Sequence, residues 1–183
     1  MSEVFERIVS EATMELFAAL GVPVQPSAVV RVSIPDDVSV AAGVIEYRGR
    51  QLVGKLLLVS TFDFIASCRP KHSRAEPLSP ASPRDWIFVR DWAKELTNQL
   101  LGCVKRALAA NGISVAIGLP IPLSGDVVRN EIASWNTSPQ QFICGRHRMQ
   151  IWFQAVTASG VELVLTSKHP PQLLPKAGSV TIF

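Results

Sequence analysis

Glu95 and Asn98 stand three positions apart in the stretch DWAKELTNQLLG, with Asp91 four positions before the pair and Gly102 four after it. At that spacing all four share one side of an α-helix. Their side chains have definite capacities. A carboxylate accepts hydrogen bonds and attracts cations, whereas a carboxamide both accepts and donates and is no base at neutral pH. Such a face can bind and orient a group. It cannot draw off a proton through Asn98.

The face is an odd choice for a helix. Asn and Gly both lower helix stability relative to Ala, Gly by up to about 1 kcal/mol. On a wheel of about 100° per residue, Val89, Ala93, Leu96, Leu100, Val104 and Ala107 form the apolar stripe, and Asp91, Glu95, Asn98, Gly102 and Ala109 lie opposite. The stripe is complete without Glu95 or Asn98. Wheel position alone makes them ordinary solvated residues. Composition argues otherwise, because a merely solvated face favours Lys, Glu, Gln and Ala. Gly102 and Ala109 keep the surface flat, so another backbone can come close.

The spacing predicts the elements that position this face. Ser82 is the expected N-cap of the helix, Pro83 its first residue and Asp85 a capping-box partner. Asn111-Gly112 supplies a left-handed stop after Ala110. An earlier helix spans residues 3 to 20, with Val4, Ile8, Ala12, Phe17 and Leu20 on one stripe and Gly21 and Pro23 ending it. Strands are predicted at AVVRVSI, VSVAAGVIEY and QLVGKLLLVS, the last two joined through RGR as a hairpin. TFDFIASC reads as a short helix capped by Thr61. After the long helix come a strand ISVAIGLP, an irregular polar stretch around 130–140, and the strands FICGRHRMQIWFQAV and VELVLTS joined by TASG. The tail beyond residue 168 reads as an extended arm.

Both halves therefore run helix, strand, hairpin. SEATMELFAAL and KELTNQLLGCV share a Glu-x-Thr core, with Met14 where the second helix has Asn98. The expectation is one pseudo-duplicated α+β domain, 1–168, with repeats at 1–68 and 84–167 and a Pro/Ser-rich connector at 69–83. Two long helices lie on one face of a largely antiparallel sheet.

The 183 residues are 48% hydrophobic, and the mean hydropathy of +0.24 suits a packed globular chain. A net charge of +3, scattered rather than striped, argues against a nucleic-acid surface. No run approaches the roughly 20 apolar residues of a membrane span. The acidic first turns lack a signal peptide's basic region. Cys68, Cys103 and Cys144 are odd in number and lack metal-ligand spacing, which points to free thiols and a cytoplasmic protein.

The pattern Asp91-xxx-Glu95-xx-Asn98, with Pro120 and Pro122 flanking a position some twenty residues on, resembles the signature of the CheC/CheX/FliY family of chemotaxis phosphatases. A single motif in the second of two long helices is most similar to the CheX type. The resemblance extends over AGVIEYRGRQLVGKLLLV, ISVAIGLPIPLSG and the closing hairpin. It implies a CheC-like fold and, as substrate, the aspartyl phosphate of a CheY-like receiver domain in chemotaxis or related two-component signalling. An acyl phosphate is already reactive, and its loose transition state needs a water in line more than a strong base. By that resemblance Asn98 positions the water and Glu95 docks on the receiver's lysine. Asp91 and Gly102 border the contact. The resemblance also implies that any Mg²⁺ belongs to the receiver, with no cofactor or metal bound by this chain, and that the protein is a homodimer. Met14 leaves the first helix without a water-orienting amide.

A non-catalytic dimeric interaction module of the same fold, like the middle domain of flagellar switch proteins, is the alternative. His72, His147 and His169 lack triad or metal partners, and His147 reads as an edge residue at a strand start. Ser124-Gly125-Asp126 reads as a turn. Trp86, Trp92, Trp135 and Trp152 read as core or interface aromatics, not as a stacking platform.

Overall fold

The computed structural model describes residues 3–27, 39–70 and 77–158. The expected strands at 28–34 and 161–167, the second half of the TASG turn (159–160), residues 71–76 of the connector and the C-terminal arm lie outside them.

Helix α1 (Glu3–Ala19) buries Phe5, Ile8, Val9, Ala12, Leu16 and Phe17 along one side. Helix α3 (Pro83–Ala110) buries Val89, Ala93, Leu96, Leu100, Leu101, Val104 and Leu108. The predicted stripe holds, with Ala107 half-buried at its margin. At the start of α3, the Ser82 side chain accepts from Asp85 N (3.3 Å), as a cap should. The Asp85 carboxylate accepts from Ser79 N (2.9 Å), so it fixes the preceding turn rather than closing a capping box on Ser82. The two long helices end alike. Gly21 N donates to Ala18 O and Val22 N to Phe17 O, while Gly112 N donates to Ala109 O and Ile113 N to Leu108 O. Both glycines have positive φ, 72° and 76°.

Among the described residues the sheet has seven strands: β1 (Gln25–Pro26), β2 (Val40–Arg48), β3 (Leu52–Thr61), β4 (Ala116–Ile117), β5 (Ile121–Ser124), β6 (Gln140–Cys144) and β7 (His147–Thr157). Their order is β1-β6-β7-β3-β2-β4, with β5 also on the outer side of β2. All the pairings are antiparallel. Helix α2 (Phe62–Ser67) follows β3, capped by Thr61 as predicted. Alternation along each strand sorts side chains between two cores. Ala41, Ile45, Leu56, Leu58, Phe142, Met149, Ile151 and Phe153 face α1, α2 and α3. Val40, Ala42, Leu57, Val59 and Trp152 face the other way, toward Leu123, Val128 and Trp135. Each fully buried Leu or Phe contributes about 1.5–3 kcal/mol of transfer free energy.

The second core corrects the expectation of an irregular stretch at 130–140 in its first part only, since residues 134–139 are irregular as expected. Residues Asp126–Ala133 form helix α4, which lies on the sheet face opposite α1 and α3. Gly125, at φ 57°, turns the chain out of β5 into it, so Ser124-Gly125-Asp126 is a strand-to-helix junction. The Glu131 carboxylate holds α4 down, accepting from Lys55 Nζ (3.1 Å) and Trp135 Nε1 (2.9 Å). Two further corrections concern strands. The strand expected at ISVAIGLP shrinks to β4, Ala116–Ile117, and pairing with β2 resumes only beyond Pro120, in β5. FICGRHRMQIWFQAV is itself a hairpin, β6 and β7, with Cys144 paired to His147. Gly145, at φ 56°, makes that two-residue turn possible. His147 begins an inner strand rather than an edge, and its ring lies 5.9 Å from that of Phe64. Trp135 and Trp152 are core residues, as expected, and Trp86 packs edge-on against Phe62.

Candidate functional site

What sets the rotation of α3 about its own axis is its seam with β2. Thr97 is fully buried and its hydroxyl donates to Ala93 O (2.8 Å). Directly beneath lies Gly43, where an added Cβ would collide with the Thr97 hydroxyl and come within 2.9 Å of Ala93 O. Backbone thus meets helix with no side chain between. On the outer side of β2, Pro122 pairs with Gly43. Leu123 belongs to the second core, so Pro122, its neighbour, faces the α3 side.

With Leu96 and Thr97 both buried, Glu95 and Asn98, which flank them, turn away from the sheet. Glu95 and Asn98 are half-buried, Asp91 is exposed, and all three lie away from the sheet. Gly102 has open space where its Cβ would be, with nothing within 4 Å. The four expected site residues therefore share one surface, as the wheel predicts. Among the described residues, Asn98's amide has no hydrogen-bond partner, leaving its donors and acceptor available. Glu95 and Asp91 make no ion pair among the described residues, so their negative charge is not cancelled locally. The Glu95 carboxylate does have one partner: Gln99 Nε2 donates to its Oε1 (2.8 Å).

Two apolar neighbours were passed over by the reading of the sequence. Ile87 (56% exposed) and Phe88 (40%) precede Asp91 by about one turn and lie on the same outward side of α3. The wheel that placed Glu95 would have placed them there too, had it been carried toward the N-terminus. The Arg69 guanidinium sits over the Phe88 ring at 5.9 Å.

No group of three or more His, Cys, Asp or Glu residues could hold a metal among the described residues, and no described helix is long and apolar enough to cross a membrane. No disulfide joins the three cysteines among the described residues, and Cys68 and Cys103 are buried. Burial pushes the Cys103 thiol up, against the opposing pull of the Arg106 guanidinium.

No family model and no curated protein matches the chain in sequence. Solved structures do match in shape. Chemotaxis protein CheX from Vibrio vulnificus superposes with a TM-score of 0.63 at 17% identity, over 85% of this chain and 97% of that one. A CheC-like superfamily protein from Shewanella sp. PV-4 gives 0.60 at 18% identity, over 84% and 99%. CheX from Borrelia burgdorferi, crystallised as a CheX–CheY–BeF3–Mg²⁺ complex, gives 0.59 at 14% identity, over 82% and 94%. The match in shape covers nearly all of each neighbour, and it agrees with the resemblance carried by the Glu95–Asn98 helix. The chain has the α+β fold of CheX and CheC-like chemotaxis proteins.

Proposed function

We propose that this protein is a phosphatase for the aspartyl phosphate of a CheY-like receiver domain, acting through Glu95 and Asn98. The observation that carries the reading is the uncommitted Asn98 amide, held outward on a rigid helix beside an unneutralised carboxylate. Asn98 accepts a hydrogen bond from a water and donates one to a phosphoryl oxygen, aligning attack. The water oxygen bonds to phosphorus while the bond from phosphorus to the aspartate oxygen breaks. The receiver's carboxylate leaves, and the water's protons pass to the phosphate released. Glu95 docks on a lysine of the receiver, fixing Asn98 relative to phosphorus. Mg²⁺, where required, is held by the receiver and offsets phosphoryl charge.

The fold supports this choice of partner by analogy, since the Borrelia neighbour was crystallised with CheY and beryllofluoride. Action as a homodimer in the cytoplasm is part of the same proposal. The test is phosphate release from a receiver phosphorylated with acetyl phosphate. Wild-type protein is expected to accelerate it and Asn98→Ala to abolish the acceleration. Unchanged turnover in that variant would sink the mechanism. Binding without turnover by the wild type would favour the interaction module instead.

A further inference from the structure

Gln99 is absent from every role assigned above, yet it is the one described residue bonded to the Glu95 carboxylate. We infer that Gln99 is the positioning residue of Glu95, holding that carboxylate in place for a cationic group of the partner while leaving its charge intact. The inference rests on the proposed function of the same face.

The geometry is that of a pair one turn apart on a helix, where the side chain of the later residue leans back toward the N-terminus. Because a carboxylate can only accept, the amide nitrogen must face it, so the orientation of Gln99 is fixed chemically. The bond at 2.8 Å occupies Oε1. Oε2 has no partner among the described residues and is left for an incoming ammonium or guanidinium. A free glutamate would lose substantial side-chain freedom on docking. One already tethered loses less, and its partner affinity rises accordingly.

The chemical type of the tether matters more than its presence. Glu11, on the first helix, has Arg7 as its partner one turn before, at 3.9 Å and well exposed. That partner places a positive charge beside the acid. Gln99 is neutral, so it fixes the geometry of Glu95 and leaves a full negative charge for the partner. Gln99 sits beside Asn98 in the chain but about 100° around the helix, so it supports Glu95 without occupying the place where Asn98's water would stand.

The test is steady-state dephosphorylation of a receiver phosphorylated with acetyl phosphate, comparing wild type, Gln99→Leu, Gln99→Lys and Glu95→Gln. Gln99→Leu is expected to raise KM about two- to fivefold, with kcat within about twofold. Gln99→Lys keeps a donor but cancels the charge, so its KM is expected to rise at least as far and to lose its dependence on salt. In the Glu95→Gln background, Gln99→Leu is expected to have no further effect, which a merely structural role would not produce. A wild-type KM in Gln99→Leu overturns the inference, as does an increase that persists undiminished in the Glu95→Gln background. Should Gln99→Leu disturb folding, Gln99→Ala removes the same amide with a better helix former. If the wild type shows no turnover, the proposed function and this inference fall together. If it turns over and only Asn98→Ala matters, this inference falls alone.

Discussion

The two long helices pack on the same sheet face, yet they do different things with the same sequence motif. Each carries a Glu-x-Thr, and each threonine is fully buried and donates to the carbonyl four residues back: Thr13 to Val9 O (2.7 Å) and Thr97 to Ala93 O (2.8 Å). Each helix ends in the same glycine cap. From there they diverge. The residue after Thr13 is Met14, half-buried against the core, whereas the residue after Thr97 is Asn98, half-buried with a free amide. Glu11 has the cationic Arg7 beside it, and Glu95 is tethered by a neutral amide. The inward half of each helix meets the demands of packing. The outward halves differ, and in the function proposed above only that of α3 serves a partner; the difference lies in a few side chains rather than in backbone.

The sharpest break in this comparison is between Asn98→Ala and Met14→Ala. The first is expected to lower turnover of a phosphorylated receiver by roughly a hundredfold or more, since positioning supplies most of such a barrier reduction. The second is expected to leave turnover unchanged and to lower the denaturation midpoint slightly. Next in size is the seam that sets the phase of α3. Gly43→Val places side-chain atoms against Thr97 and the Ala93 carbonyl, and a cost of about 1–3 kcal/mol is expected from urea unfolding. Gly102→Ala acts in the opposite sense. Its Cβ meets nothing, so the helix is expected to gain up to about 1 kcal/mol, while affinity for the receiver, read by calorimetry with beryllofluoride present, falls.

The smallest expected effect concerns Cys103, where Arg106 bridges α3 to Glu15 of α1 (3.5 Å). Burial raises the Cys103 thiol above its unfolded value. The folded state then holds its proton longer, so this contribution is complete below the unfolded thiol pKa of about 8.5 and is lost as pH rises through the folded value. Urea midpoints at pH 7.5 and 9.5 are expected to differ less in Cys103→Ala than in the wild type.

How much of this could be read from the chain follows from what each part depends on. Helix α3 was readable because its signals are local: Ser82, Pro83, the apolar stripe and Gly112 act within a few residues. The β2–β3 hairpin was readable for the same reason, with alternating faces around a glycine turn. Helix α4 was not. Only Val128 of its residues is fully buried, its N-cap Gly125 makes no side-chain bond, and its hold on the sheet comes through Lys55, far off in sequence. The β6–β7 hairpin was missed because GRH is as polar as a strand's solvent face, and only the positive φ at Gly145 shows the turn. Asn98's position was evident from the wheel. The Gln99–Glu95 bond was equally local, but the wheel sorts residues by burial and does not ask which neighbours reach one another.

Helix α4 gives the molecule a second side. It sits across a sheet from α3, and its Val127 is 56% exposed. A reporter dye or a surface linker attached there, for example through Val127→Cys, would leave the Glu95–Asn98 face clear, separated from it by the sheet. Cys68 and Cys103 are buried and would compete little for a thiol reagent, so replacing Cys144 alone would make the label selective. The same helix that the sequence concealed is thus the natural handle for watching the other face work.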